Sequence, residues 1–202
     1  MSLRITHSIM SRYTNFAVVG AGTLGNYIVQ QLLKDKAAGI VKEVAVLTRQ
    51  VWYSSNNYVM RDIAEYPWLD TKGSKTTVQG DAKVVQVDYS KDDSIKRALT
   101  GVEVVISTIS GEALDVQGKI AAAAKEADVK LFIPSDFGNV TEGETEGMFG
   151  AKANIQTQLK ALGIPYVVFY TGPFADYIWA SYVSYLFLSA IFRPVNHKSK
   201  DS

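Results

Sequence analysis

Short apolar runs alternate with amphipathic stretches between residues 16 and 171. Phe16-Ala17-Val18-Val19 is a continuous apolar run ending at Gly20, the pattern of a strand covered on both faces. Leu24, Tyr27, Ile28, Leu32 and Leu33 then recur at helical spacing up to Lys36, and Gly39 closes that helix. Val44 to Leu47 predicts a second strand and Val84 to Val87 a third, followed by a helix over Asp92 to Leu99. Val102 to Ser107 reads as the fourth strand and Leu114 to Glu126 as the helix behind it. Leu131-Phe132-Ile133 is the fifth, stopped by Pro134. A helix from Phe149 to Leu162 leads through Gly163-Ile164-Pro165 into a sixth apolar run, Tyr166 to Tyr170. Residues 50 to 80 break the rhythm: they contain Trp52, Tyr53, Pro67 and Trp68 without clear periodicity. A helix near Tyr58 to Glu65 within a long loop is expected there.

Apolar strands separated by helices predict an α/β protein, a Rossmann-type doubly wound parallel sheet. Right-handed crossovers gather the carboxyl ends of the strands along one edge, where ligands of such sheets sit. The expected organisation is a disordered leader over 1–15, the Rossmann domain over 16–172, the helical start of a further domain over 173–192 and a disordered tail over 193–202. The aromatic segment 177–192 is a candidate surface for a second copy or a protein partner. Its uncharged part, Tyr177 to Phe192, is shorter than the about 20 residues of a membrane-spanning helix.

Composition narrows the chemistry. The chain has 202 residues, 47% hydrophobic and 20% charged, with a formal charge of +1. That balance gives no basic footprint for nucleic acid. Cysteine is absent, which removes disulfides, thiolate metal sites and cysteine nucleophiles. The two histidines, His7 and His197, lie in terminal segments, so histidine metal centres and Ser-His-Asp triads are disfavoured. The segment before Phe16 lacks the apolar core of a secretory signal, which leaves a leader or a short transit peptide and points to a cytoplasmic protein.

Gly20-Ala21-Gly22-Thr23-Leu24-Gly25 spells G-x-G-x-x-G between a predicted strand and a predicted helix. In that context each glycine has its own mechanical role. The first allows a tight turn, the second backbone approach to a diphosphate, and the third close helix–strand packing. Backbone N–H groups and the helix dipole then face the anion. The second strand ends at Thr48-Arg49-Gln50 and not on the acid that would hold an NAD ribose. Arg49 is therefore either a fork for the 2′-phosphate of NADPH or a solvated loop arginine. Asp88, after the third strand, is either an adenine contact or a turn acid. Thr108, Ile109 and Ser110 offer small side chains beside ribose and nicotinamide, or simply form a loop. Asp136-Phe137-Gly138 and Asn139-Val140-Thr141 match kinase and glycosylation motifs by coincidence, since no companion kinase motif and no export signal accompany them.

Four blocks, Val18 to Gly25, Thr48-Arg49, Phe132-Ile133-Pro134-Ser135-Asp136-Phe137-Gly138, and Lys152 through Gly163-Ile164-Pro165-Tyr166, together resemble the NmrA-like and isoflavone-reductase-like branch of the atypical short-chain dehydrogenases. The stretch from Asp88 through Leu99-Thr100-Gly101-Val102 to Ser107 fits as well. The resemblance implies NADPH as cofactor and a small substrate domain built mostly from later chain, of which only a remnant is expected before Ser202. It also implies reduction of a small, often aromatic, enone or carbonyl, or else a non-catalytic sensor of the NADP redox state. In the reductases a lysine at the start of the helix before the I-P-Y strand contacts the nicotinamide ribose and relays a proton; Lys152 matches it. The alternative for Lys152 is an exposed lysine in a first helical turn. Thr171-Gly172-Pro173-Phe174 resembles a loop beside the substrate, which makes Phe174 the candidate substrate contact. The sequence departs from many relatives in its tighter glycine spacing and in Asp136, where plant members commonly carry Glu.

Overall fold

The computed structural model describes residues 13–49, 51–54, 57–60, 76–78, 81–109, 114–172 and 174; between 51 and 78 only backbone strands are described. Five strands form one parallel sheet: β1 (Asn15–Val19), β2 (Glu43–Thr48), β6 (Lys83–Gln86), β7 (Val104–Ser107) and β8 (Leu131–Ile133). Their spatial order is β6-β2-β1-β7-β8. The chain builds outward from β1 in one direction and then restarts on its other side, so strand order reverses between β1 and β7. The helices are α1 (Thr23–Ala37), α2 (Asp92–Ala98), α3 (Val116–Glu126) and α4 (Gly147–Leu162).

Alternation along the strands sorts the core into two layers. Ala17, Val19, Leu47, Val105 and Phe132 share one face and bury against Ile95 of α2, Ile120, Ala121 and Ala124 of α3, and Leu159 of α4. Phe16, Val18, Val44, Val46 and Val104 point the other way and are as thoroughly buried, as are Val29 and Leu32 of α1. Each fully buried large side chain contributes about 2 kcal/mol of transfer free energy. Apolar side chains on both faces of every central strand are what a doubly wound sheet requires.

Three expectations need correction. The stretch placed in a helix near Tyr58 to Glu65 begins instead in an antiparallel three-stranded sheet, β3 (Val51–Ser54), β4 (Asn57–Met60) and β5 (Thr76–Val78). Ser54 pairs with Asn57, which leaves a two-residue hairpin connection. Valine and aromatic residues on either side of Ser-Ser-Asn-Asn favour strands over helix. The sixth strand is reduced to a single bridge, Tyr166 with Phe132. The Phe132 N–H donates to Pro165 O at 2.9 Å and the Val167 N–H to Phe132 O at 3.1 Å. The strand it would follow ends at Ile133, and the next residue, Pro134, has no N–H to extend the ladder. Finally, β1 starts at Asn15, inside the stretch expected as leader; the Glu103 carboxylate accepts the N–H groups of Thr14 at 2.6 Å and Asn15 at 3.0 Å.

Among the described residues, Phe137–Val140, 169–172 and Phe174 fall in a second compact unit. Within it Phe137 stacks on Phe169 with ring centroids 6.3 Å apart, and the Gly172 N–H donates to Gly138 O. Residues 1–12, Ser110, the 177–192 segment and the 193–202 tail lie outside the described residues. Among the described residues no helix is long and apolar enough to cross a membrane.

Candidate functional site

The loop after β1 and the loop after β7 meet at the point where strand order reverses. Gly20 has φ +87°, a conformation that side chains disfavour. A Cβ there would also lie 3.1 Å from Ile109 Cγ2. Thr108 ties the loop down: its N–H donates to Val19 O at 2.8 Å and its hydroxyl to Gly20 O at 2.8 Å. Gly25, in the first turn of α1, faces that same carbonyl. A Cβ at Gly25 would stand 2.3 Å from Gly20 O and 2.6 Å from Thr108 Oγ1. Helix and strand therefore approach as closely as backbone permits.

Gly22 differs from both. Among the described residues, a Cβ there would meet nothing within 4 Å, which leaves room above the N-cap of α1. The first intrahelical bond joins the Asn26 N–H to Gly22 O, which leaves the N–H groups of Thr23, Leu24 and Gly25 without helical acceptors. The first turn carries no acidic residue. With no acid in that turn, the positive end of the helix dipole faces that space, a setting suited to an anion. Ser107, at the end of β7, adds a wholly buried hydroxyl that has no hydrogen-bond partner among the described residues. A diphosphate over Gly22 with its ribose toward β7 fits these observations.

A cleft of about 750 Å³ opens along the same sheet edge beyond β2 and β6. Arg49, Gln86, Asp88, Tyr89, Val116 and Lys119 line it. Gln86 donates its side-chain amide to Arg49 O at 3.2 Å, joining the two strand ends. The Asp88 carboxylate is engaged in its own turn: Oδ1 accepts the Ser90 hydroxyl at 2.6 Å and the Ser90 N–H at 3.0 Å, and Oδ2 lies 3.2 Å from Lys91. The Ser90 hydroxyl, then its N–H and the Lys91 ammonium, hold this carboxyl below the usual aspartate range. The geometry thus gives Asp88 a turn-forming role at the rim. Lys119, from α3, has no distinguishing sequence signal: it is one lysine among several until the fold brings it to the lining of the same cleft as Arg49.

Lys152 lies in the second turn of α4 and is half-buried. Desolvation pushes its ammonium below the ordinary lysine value, and the charge of Asp136 opposes that push. Gln117, almost wholly buried on α3, accepts the Ser135 N–H at 2.8 Å and so fixes the segment that carries Asp136. The glycine loop, Thr108, Ile109, Arg49, Asp88 and Lys152 all belong to the larger compact unit. Phe174 belongs to the second unit and is exposed; Ser110 lies outside the described residues. Among the described residues no group of three or more His, Asp or Glu could hold a metal ion.

The model of the NmrA-like family matches residues 14–197. The chain belongs to that family. Relatives of this NmrA-like chain include phenylcoumaran benzylic ether reductase Pyrc5 of Pyrus communis, 41% identical over 96 residues, covering 45% of this chain and 31% of the relative. Eugenol synthase 2 of Clarkia breweri is 40% identical over 97 residues, covering 45% of this chain and 31% of that one. Among solved structures, AtPrR2 in apo form is 31% identical, with a TM-score of 0.55 over 80% of this chain and 50% of that chain. An NADPH-dependent quinone oxidoreductase of Escherichia coli shares the fold at 22% identity, with a TM-score of 0.61 over 86% of this chain and 53% of the other. The NmrA-like chain matches about a third of the length of these curated relatives and about half of the solved chains.

Proposed function

We propose that this NmrA-like chain is the nucleotide-binding part of a cytoplasmic NADPH-dependent oxidoreductase acting on a small enone or carbonyl, with Lys152 as proton relay. The observation that carries the reading is the open, acid-free N-terminus of α1 above Gly22, held by two glycines that admit no side chain. Relatives named as phenylcoumaran benzylic ether and pinoresinol reductases, one of them solved with NADP+ and pinoresinol, support both cofactor and aromatic substrate.

Each residue has a distinct part. Gly20, Gly22 and Gly25 with the first turn of α1 hold the diphosphate, and Thr23 and Leu24 supply N–H groups to it. Arg49, which lines the cleft together with Lys119, binds the 2′-phosphate as a planar fork with a second cation in the same cleft. Tyr89 and Val116 give the adenine an apolar wall, with Asp88 at its rim. Thr108, Ile109 and Ser110 flank the ribose nearer the nicotinamide. NADPH, when bound, supplies the hydride. Lys152, made less basic by burial, gives the substrate its proton and recovers it from water. Phe174 is the proposed substrate contact, on the resemblance of the loop that carries it.

Separate titrations with NADPH and NADH, followed by NADPH oxidation with a panel of aromatic enones and aldehydes, test the proposal. Saturable NADPH binding at least tenfold tighter than NADH, with turnover abolished in Lys152→Met, is the expected result. Tight NADPH binding with no turnover on any substrate, unchanged in Lys152→Met, would point instead to a redox sensor.

A further inference from the structure

The proposed relay lysine is backed by a polar cluster that neither the glycine loop nor the adenine cleft uses. Asp136 is completely shielded from solvent, and so is Thr141. The Thr141 hydroxyl lies 2.9 Å from both Asp136 oxygens and shares its one proton between them. The Gln156 amide donates to Asp136 Oδ2 and, at 3.0 Å, to Thr141 Oγ1. Gln156 stands one helical turn after Lys152 on α4, so the two side chains share a face. Thus the same helix face that carries the lysine is clamped to the carboxylate.

Two neutral donors only partly compensate a carboxylate removed from water; buried charges are characteristically paired with an opposite one. The charge of Asp136 acts on Lys152 and favours its ammonium form. Other charged groups nearby, Glu142, Glu144 and Glu146 before the helix and Lys160 further along it, are exposed to solvent that screens them.

We propose that Asp136 is the positioning residue of Lys152: clasped by Thr141 and Gln156, its carboxylate fixes where the ammonium sits on α4. This inference takes from the relay reading only the use to which the lysine is put. The coupling itself is a property of the chain without nucleotide or substrate. Burial and the carboxylate act on the lysine in opposite senses, burial favouring the neutral amine and the carboxylate the ammonium. A purely structural Asp136, buttressing the turn to Thr141, would leave the chemistry of Lys152 unchanged.

The test is trace acetylation of the full chain with acetic anhydride across a pH series, with the extent of Lys152 labelling read by mass spectrometry and no nucleotide present. Asp136→Asn is expected to move the Lys152 midpoint down by about one pH unit, the low end of the effect of a close opposite charge. Asp136→Glu restores it to within a fraction of a unit. An unmoved midpoint in Asp136→Asn that keeps a native melting transition overturns the proposal. If Asp136→Asn does not fold, Gln156→Leu reads the same coupling with the opposite sign. Losing a competing donor leaves the carboxylate freer for Lys152, so the midpoint rises; no rise overturns it. NADPH oxidation run in parallel separates the two ideas. A midpoint shift without any turnover defeats the relay, while turnover without a shift defeats the coupling.

Discussion

Gly25 and Gly22 differ by three positions and by the kind of damage a methyl group would do at each. At Gly25 the new Cβ would meet backbone oxygen at 2.3 Å, and neither α1 nor β1 can yield without loosening the core. Gly25→Ala is expected to cost about 3 kcal/mol of stability, at the upper end for overpacking, seen as a lowered urea midpoint. At Gly22 the methyl group meets nothing within 4 Å among the described residues, so Gly22→Ala should stay within about 1 kcal/mol of the parent. The methyl group would nevertheless occupy the volume proposed for the diphosphate and weaken NADPH binding at least tenfold by calorimetry. Equal stability losses in the two variants would show that Gly22 is only a turn residue. Glu103 yields a pH prediction at the same scale. Its carboxyl is held below the ordinary glutamate value chiefly by the Thr14 N–H, with the Asn15 N–H adding to it. A carboxyl depressed on folding stabilises fully above its unfolded value and loses that contribution as pH falls through the folded one. Glu103→Gln should therefore melt below the parent at pH 7, and the gap should close below about pH 4.

Elements differ in how plainly the sequence announces them. β1, β2, β7 and α1 are legible because each is covered on a defined side, and burial writes itself into an apolar run or a helical stripe. The hairpin of β3 and β4 carries its own signal, valines and aromatics around Ser-Ser-Asn-Asn, but Pro67 and Trp68 downstream obscure it. The run from Tyr166 to Tyr170 misleads for the opposite reason. It has strand-forming residues, yet pairing depends on the neighbour, and β8 stops before Pro134. Val167, Phe169 and Tyr170 are consequently exposed. The glycine loop is legible because its chemistry is local in sequence. The clasp of Asp136 by Thr141 and Gln156 is not, since nothing in the chain marks a carboxylate and an amide 20 residues apart as partners. Thr108 lies between these cases: its small size is visible in the sequence, its tether is not. Thr108→Val keeps the shape and removes the hydroxyl, leaving Gly20 O without that donor. A stability loss of about 1 kcal/mol is expected, with a several-fold rise in the NADPH dissociation constant as the loop loosens. A variant that binds as tightly as the parent would show that the packing of Ile109 alone holds the loop.

For the whole molecule, the proposed nucleotide contacts come from the ends of β1, β2, β6 and β7 and from the start of α1. A ligand touching all of them binds only when the sheet is assembled. Such a ligand stabilises by mass action, by about 2.7 kcal/mol at a hundred times its dissociation constant. In a chain of this size each kcal/mol is worth about 2–4 °C, so saturating NADPH should raise the melting temperature by about 5–10 °C. The discriminating part is the 2′-phosphate. NADH at the same concentration lacks the group that Arg49 and Lys119 are placed to meet, and should give a much smaller rise. Arg49→Gln removes the fork but leaves the diphosphate site, so the NADPH response should fall toward that of NADH while the NADH response stays put. Adenosine 2′,5′-bisphosphate, which lacks the nicotinamide half, should still protect the parent and fail to protect Arg49→Gln. If NADH and NADPH protect the parent equally, the cleft beside Arg49 does not read the phosphate and the cofactor assignment falls. If Gly22→Ala also retains full protection, the nucleotide binds somewhere other than the N-terminus of α1.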